Sequence, residues 1–224
     1  KDTLIACCEW LDGGSLLQFS KDLDDNSDNG HRNKEMPMRI VLAVVRQALR
    51  GLNTLHQINM THRDIKPANI MLSSTSGVKL IDFGMTTAPC RHWIKHQHPC
   101  GTMAFMAPEM MLDRDGYDTA ADVYSFGVTM LSLVRAPYPG EHQLSEEEFF
   151  RKLAQNKGPW PDNFDSISPN EFRQDLALCL LWAAEHRPTC AQLLSRQYIN
   201  GQDAASDEEL LDFVKKIIVA VNPE

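Results

Sequence analysis

The clearest hydrophobic periodicity in the chain lies between Met38 and Gln57. Apolar residues recur there at spacings of three and four positions, which places them on one face of an α-helix. The pattern predicts an amphipathic helix whose buried face is formed by Val41, Val44, Val45, Ala48, Leu52 and Leu55.

Apolar segments in the second half of the chain predict further helices. Residues 122–134 are apolar on nearly all sides, which is typical of a helix buried in a core, and Pro137 and Pro139 end it. Ser15 is a candidate N-cap for a short helix near the start of the chain. Additional helices are expected over residues 146–155, 170–183, 190–194 and 208–221.

Strand patterns are few. The apolar run 4–8 is typical of a buried strand, and residues 70–72 and 78–81 are expected to form the two arms of a short β-hairpin. Residues 21–36 are rich in Asp and Asn, which indicates a solvated loop or, as an alternative, an acidic docking site for a basic partner. The sequence therefore predicts one mainly α domain without internal repeats.

Composition narrows the class of protein. A chain of 224 residues with 43% hydrophobic content and a mean hydropathy of −0.33 suits a single soluble globular domain. The net charge of −8 argues against a nucleic-acid partner, and no apolar run approaches the ~20 residues that cross a membrane. Six cysteines are too sparse for a disulfide framework, so we expect a reducing compartment, cytoplasmic or nuclear.

Two motifs in the middle of the chain carry candidate chemistry. Residues 62–69 read His-Arg-Asp-Ile-Lys-Pro-Ala-Asn, and residues 82–84 read Asp-Phe-Gly. They contain three side chains with hard oxygen atoms, Asp64, Asn69 and Asp82. The predicted hairpin joins the two loops, so it is expected to bring these side chains together.

Three later motifs follow in a recognisable order. Residues 106–109 read Met-Ala-Pro-Glu, residues 122–127 read Asp-Val-Tyr-Ser-Phe-Gly, and residues 186–189 read His-Arg-Pro-Thr. Together with the two central motifs, they resemble a eukaryotic protein kinase of the Ser/Thr type. The resemblance implies that residues 1–14 are the last strand of the N-terminal lobe and the hinge, and that 15–224 are the helical C-terminal lobe.

The resemblance also implies catalytic roles for Asp64, Lys66 and Asn69. Asp64 would accept or orient the proton of the substrate hydroxyl, and Lys66 would contact the γ-phosphate of ATP. Asn69 and Asp82 would bind Mg²⁺ through their oxygen atoms. Lys66 and Thr102 indicate that the substrate is a protein Ser or Thr hydroxyl.

Residues around the hinge are implied to contact the nucleotide. One side chain would occupy the gatekeeper position, two backbone groups would face the adenine edge, and one side chain would lie beneath the ring. Asp12 is a candidate ribose contact. The candidate ATP contacts are Cys8 at the gatekeeper, Glu9 and Leu11 at the adenine edge, Met71 beneath the ring, and Lys66 and Asp82 at the phosphates and metal.

The resemblance gives other motif residues a structural role. His62 and Phe83 are expected to pack together, and Asp122 is expected to accept backbone N–H groups. Glu109 and Arg187 are expected to form a buried ion pair that holds the 106–109 motif on the helical lobe.

Three parts of a kinase are not found among the 224 residues: the glycine-rich loop, the ATP-binding lysine and its glutamate partner. The missing N-terminal lobe is therefore an expected partner, and we expect the isolated fragment to bind ATP poorly and to be inactive. A pseudokinase-like protein-interaction module and a kinase for small molecules are the alternatives. The intact Asp64, Asn69 and Asp82 favour catalysis, and the 106–109 motif favours a protein substrate.

The segment 90–100 holds five residues of types that bind zinc. Their spacing matches no standard zinc module, so a polar exposed loop is the competing interpretation. These residues are Cys90, His92, His96, His98 and Cys100.

Residues 88–100 contain no Ser, Thr or Tyr, although many kinases carry a phosphorylated residue in this segment that pairs with the Arg equivalent to Arg63. We therefore expect the usual phosphate switch to be absent and the loop to be ordered in another way. Phosphosite mapping of active protein checks this. A stoichiometric phosphate on Thr86 or Thr87 that controls activity would contradict the hypothesis.

Overall fold

The fold is described from a computed structural model, in which residues 8–19, 36–87, 101–112, 117–134 and 164–221 can be described. Several predicted features lie wholly or mostly outside these residues. They are the strand at 4–8, the polar segment 21–36, the helix at 146–155 and the segment 90–100.

The first long helix, α1 (Met38–Gln57), has the predicted bounds. Its apolar face is buried, with Val44 and Leu52 fully inaccessible to solvent. Arg46 is also buried on this helix, where its guanidinium donates to the carbonyl oxygens of Ile199 and Ala205. The helix therefore forms the centre of the core and joins distant parts of the chain.

The predicted hairpin is confirmed. Strands β1 (Ile70–Ser73) and β2 (Gly77–Leu80) pair antiparallel, with Ile70 opposite Leu80 and Ser73 opposite Gly77. Gly77 has a φ of 77°, and a Cβ atom there would lie 2.2 Å from the side-chain oxygen of Gln47. The turn therefore requires glycine for its backbone conformation.

The segment before the first described helical residues pairs with the other edge of β1. The Gly13 N–H donates to Leu72 O at 3.1 Å, and the Leu72 N–H donates to Gly14 O at 2.8 Å. Ser15 Oγ accepts the N–H of Gln18 at 3.2 Å at the start of the helical residues 16–19, which confirms its predicted capping role.

The remaining described elements are helical. Helix α3 (Ala120–Leu133) is buried on most sides, as its composition predicts. The predicted helix 170–183 is too long, because the chain leaves the helix after Cys179 and turns the carbonyl groups of Leu181 and Trp182 toward Arg187. The helices are α2 (Pro108–Leu112), α3 (Ala120–Leu133), α4 (Asn170–Cys179), α5 (Cys190–Leu194), α6 (Gln197–Asn200) and α7 (Asp207–Val221).

Polar contacts attach α7 to α1. Asp207, at the start of α7, accepts hydrogen bonds from Arg46 at 2.6 Å, Gln47 at 3.0 Å and Arg50 at 3.2 Å. The bond from Gln47 and the charge of Arg46 outweigh the effect of burial and lower the pKa of Asp207 to about 2. Among the residues that the structure describes, no helix is long and apolar enough to cross a membrane.

The contact between α3 and α4 depends on Gly127. A Cβ atom at this position would lie 2.9 Å from Cys179 Cβ, which is too close for either helix to remain in place. Gly127→Ala is therefore expected to destabilise the protein by about 1–2 kcal/mol, because overpacking exceeds the gain in helix propensity. Urea unfolding of the purified protein measures this.

The matched control is Gly51→Ala in α1. A Cβ atom there would meet only the flexible end of Leu80, at 3.3 Å. We expect a change between zero and a gain of about 1 kcal/mol. Equal effects of the two substitutions would contradict the packing argument.

Candidate active site

The loop at residues 61–66 is anchored on a buried carboxylate. Asp122, fully buried in α3, accepts the backbone N–H of His62 at 2.7 Å and that of Arg63 at 2.8 Å. His56, in the last turn of α1, lies 2.9 Å from the same carboxylate through Nε2. The loop needs this anchor because Arg63 has a φ of 71°, a conformation that residues other than glycine rarely adopt.

Asp64 is the centre of a dense polar cluster. Lys66 Nζ donates to its Oδ2 at 2.7 Å and to Thr102 Oγ1 at 2.7 Å. The Thr102 N–H donates to Asp64 Oδ1 at 3.1 Å, and the Asn69 amide donates to Asp64 Oδ2 at 2.9 Å and to its carbonyl oxygen at 2.8 Å. The structure thus brings together all three residues that the sequence identified as catalytic candidates.

These contacts keep Asp64 ionised. Burial acts to raise the pKa of Asp64, but the ammonium group of Lys66 and the donors of Thr102 outweigh it, and the net pKa lies below its ordinary value. A carboxylate in this state can accept a proton from a neighbouring hydroxyl group or orient that hydroxyl.

Asp82 lies on the adjacent loop. The Ile81 N–H donates to Asn69 O at 3.0 Å, so Asp82 follows a residue bonded directly to the Asn69 backbone. With a φ of 63°, Asp82 caps the short 3-10 turn Phe83–Met85 by accepting the Gly84 N–H at 3.4 Å. The ring of Phe83 packs on His62 with centroids 5.2 Å apart, which confirms the predicted contact.

The candidate nucleotide contacts near the hinge are exposed or half-buried. Cys8 and Glu9 are exposed, Leu11 is half-buried, and Met71 is half-buried in β1 opposite Ser15. No contact of these four residues with Asp64 or Asp82 is described.

The carboxylate of Asp12 accepts hydrogen bonds from within the protein. Its two oxygens accept the Ser74 N–H at 2.9 Å and the Ser74 hydroxyl at 2.5 Å. These bonds lower the pKa of Asp12. Glu9 reaches the same turn, where it accepts the Ser76 hydroxyl at 3.0 Å. Asp12, a candidate ribose contact in the sequence, therefore connects the chain before β1 to the turn of the hairpin.

The ion pair predicted between Glu109 and Arg187 is confirmed. The buried guanidinium of Arg187 donates to both carboxylate oxygens, at 2.5 and 2.8 Å. It also stacks over the Tyr124 ring, 5.0 Å from the centroid. This bidentate pair holds α2, and with it the end of the segment that begins at Asp82, against the core.

Sequence reasoning missed several residues of the site. His56 lies on Asp122, Ser74 binds Asp12, and Tyr117 accepts a hydrogen bond from Arg63. None of these residues stands in a motif, and each partner is far away in the chain. Only the folded arrangement reveals them.

The arrangement has a clear counterpart among known proteins. The family model described as protein kinase domain matches residues 1–199. The chain belongs to the protein kinase domain family. The mainly helical structure and its small two-stranded sheet are consistent with such a domain.

The curated relatives are named as Ser/Thr kinases. Serine/threonine-protein kinase dst1 of Dictyostelium discoideum is 29% identical over 96% of this chain and 27% of its own length. Serine/threonine-protein kinase 10 of Xenopus tropicalis is 31% identical over 92% of this chain and 21% of its own length. Serine/threonine-protein kinase WNK of Caenorhabditis elegans is 33% identical over 89% of this chain and 10% of its own length. The chain thus spans about a quarter or less of the length of these three relatives.

The anchor role of Asp122 can be tested with Asp122→Asn. An amide presents only one acceptor oxygen, so the N–H of His62 or Arg63 would face another donor. We expect a loss of about 2–4 kcal/mol in the free energy of unfolding and faster hydrogen exchange at these two amides.

Asp118→Asn is the matched control for this test. Asp118 is exposed and accepts the Ala120 N–H at 2.8 Å, a role that asparagine also fills. Asp118→Asn is expected to lower the free energy of unfolding by less than about 1 kcal/mol. A similar loss for both variants would contradict the special role of Asp122.

Proposed function

We propose that this chain is the hinge and C-terminal lobe of a Ser/Thr protein kinase that transfers the γ-phosphate of ATP to protein Ser or Thr hydroxyls. Residues 1–14 would belong to the last N-lobe strand and the hinge, and residues 15–224 to the C-terminal lobe. The observation that carries the proposal is the direct bonding of Lys66, Asn69 and Thr102 to Asp64.

Asp64 is assigned to the substrate hydroxyl. Its carboxylate is buried, is ionised and is held by three side chains, so its orientation is fixed before substrate binds. It accepts or orients the hydroxyl proton as the hydroxyl oxygen attacks phosphorus.

Lys66 is assigned to the transferring phosphate. Its ammonium group lies 2.7 Å from both Asp64 Oδ2 and Thr102 Oγ1, and it retains a further N–H donor for a phosphate oxygen. A cation at this point offsets the charge that develops on the transferring group. Thr102, which binds both residues, is positioned beside the attacking hydroxyl.

The donor set of Asn69 and Asp82 fits Mg²⁺. Both described hydrogen bonds of the Asn69 side chain use its Nδ2 atom, and Asp82 is exposed. Mg²⁺ is commonly held by one or two protein groups together with substrate phosphates. Held by these residues, Mg²⁺ would offset the negative charge of the phosphate groups.

ATP is assigned to the hinge through the backbone groups of Glu9 and Leu11, with Cys8 and Met71 bordering the adenine. The bonds of Asp12 to Ser74 support this assignment, because they fix the hinge relative to the hairpin that carries the catalytic loops. A cytoplasmic or nuclear location agrees with the free thiols of the described cysteines, Cys8, Cys179 and Cys190.

A pseudokinase-like interaction module is the second candidate. An interaction module has no chemical need for Asp64, Asn69 and Asp82, nor for a lysine bonded to Asp64. The polar cluster around Asp64 therefore favours catalysis.

Asp64→Asn in the full-length protein tests the proposal. The amide cannot accept the hydroxyl proton, so kcat for transfer to a protein substrate should fall by about 100-fold or more, whereas ATP binding should remain. Radiolabel transfer and calorimetric ATP titration measure the two effects. Asp212→Asn, a change on the exposed face of α7, is the control and should leave kcat unchanged. Equal activity of Asp64→Asn and wild type would contradict the role of Asp64.

A further inference from the structure

The side chain of Arg63 connects separate parts of the candidate active site. Its guanidinium donates through Nε to the carbonyl oxygen of Met85 and through Nη1 to the hydroxyl oxygen of Tyr117, the latter at 3.2 Å. Its backbone N–H is already held by Asp122. Arg63 therefore joins the loop that carries Asp64 to the turn that follows Asp82.

The Met85 carbonyl lies at the end of the short turn that follows Asp82. Met85 ends the turn Phe83–Met85, which Asp82 caps in a left-handed conformation. His62 packs on Phe83 at the start of this turn, and Arg63 binds its last residue. With both ends of the turn held, the direction of the Asp82 carboxylate is fixed as well.

Both acceptors described for the Arg63 guanidinium are neutral oxygens. A phosphate on the neighbouring segment would be a stronger, charge-assisted acceptor. However, residues 88–100 contain no Ser, Thr or Tyr, and the side-chain oxygen of Thr86 is buried. Tyr117 and Met85 thus supply the described acceptors of the Arg63 guanidinium.

Contacts that need no phosphate hold both flanks of residues 88–100. On one side, Thr87 and Thr61 exchange two backbone hydrogen bonds, of 2.8 and 3.1 Å. On the other side, Thr102 binds Asp64, and a Cβ atom on Gly101 would lie 2.5 Å from the Arg63 carbonyl oxygen. The flanks therefore pack directly on the catalytic loop.

We propose that Tyr117 is a positioning residue for phosphoryl transfer. Its hydroxyl oxygen orients the Arg63 guanidinium onto the Met85 carbonyl, and this contact fixes the turn of Asp82 without a phosphate on the segment. The inference rests on the proposed function, which assigns Asp82 to the metal site.

Tyr117→Phe in the full-length protein tests this inference, since it removes the acceptor oxygen and retains the ring. We expect kcat to fall about fivefold to tenfold and the Mg²⁺ concentration for half-maximal transfer to rise about threefold or more. In the absence of nucleotide, hydrogen exchange at the Thr87 amide should accelerate about tenfold, because its pairing with Thr61 depends on the held turn. Treatment of the wild type with phosphatase should leave kcat unchanged.

Tyr198→Phe is the matched control. It removes a hydroxyl that donates to Asp175 at 2.8 Å in another part of the core. Thermal stability should fall, whereas kcat and the Mg²⁺ requirement should not change.

The outcomes separate the two proposals. If the wild type transfers phosphate and Tyr117→Phe matches it in kcat, Mg²⁺ requirement and Thr87 exchange, the positioning role is overturned. Loss of wild-type activity on phosphatase treatment would overturn the inference that the turn of Asp82 is held without a phosphate. A wild type without transfer activity would instead contradict the proposed function, and the Thr87 exchange rate would still support or overturn the Tyr117 contact.

Discussion

The buried carboxylate of Asp122 is the constraint on which the loop at residues 61–66 depends. A fully buried carboxylate is costly unless it accepts hydrogen bonds; the amides of His62 and Arg63 donate to its two oxygens, and His56 lies within hydrogen-bond distance of one of them. In return, the carboxylate stabilises the left-handed conformation of Arg63. Because Asp64 follows Arg63 directly in the chain, these contacts also fix the position of Asp64.

A second set of contacts places the remaining parts of the site relative to that loop. The hairpin joins Asn69 to Asp82, and residues 12–14 bind the opposite edge of β1 and the hairpin turn. Residues 12–14, the loop of Asp64 and the Asp82 turn are therefore all attached to one small sheet. In the part of the chain that the structure describes, this sheet is the frame of the candidate active site.

Local patterns allowed much of this arrangement to be predicted. The bounds of α1, the hairpin and the Ser15 cap follow from periodicity and from side chains that act within a few residues. The predicted helix 170–183 extends too far, because the carbonyl groups of Leu181 and Trp182 bind Arg187. The position of Arg187 in turn depends on its ion pair with Glu109, which forms only in the tertiary structure. The contacts of Ser74 and Tyr117 were missed for the same reason, since their partners are distant in sequence.

The amide of Gln47 has a consequence beyond local stability. Its oxygen accepts the Val78 N–H of β2 at 2.8 Å, and its nitrogen donates to Asp207 at 3.0 Å. One side chain thus transmits the docking of the C-terminal helix to the strand that leads into Asp82. A genetic screen that scores only phosphotransfer would consequently recover substitutions in the first turn of α7 among its active-site variants, although this turn lies outside every motif of the candidate site.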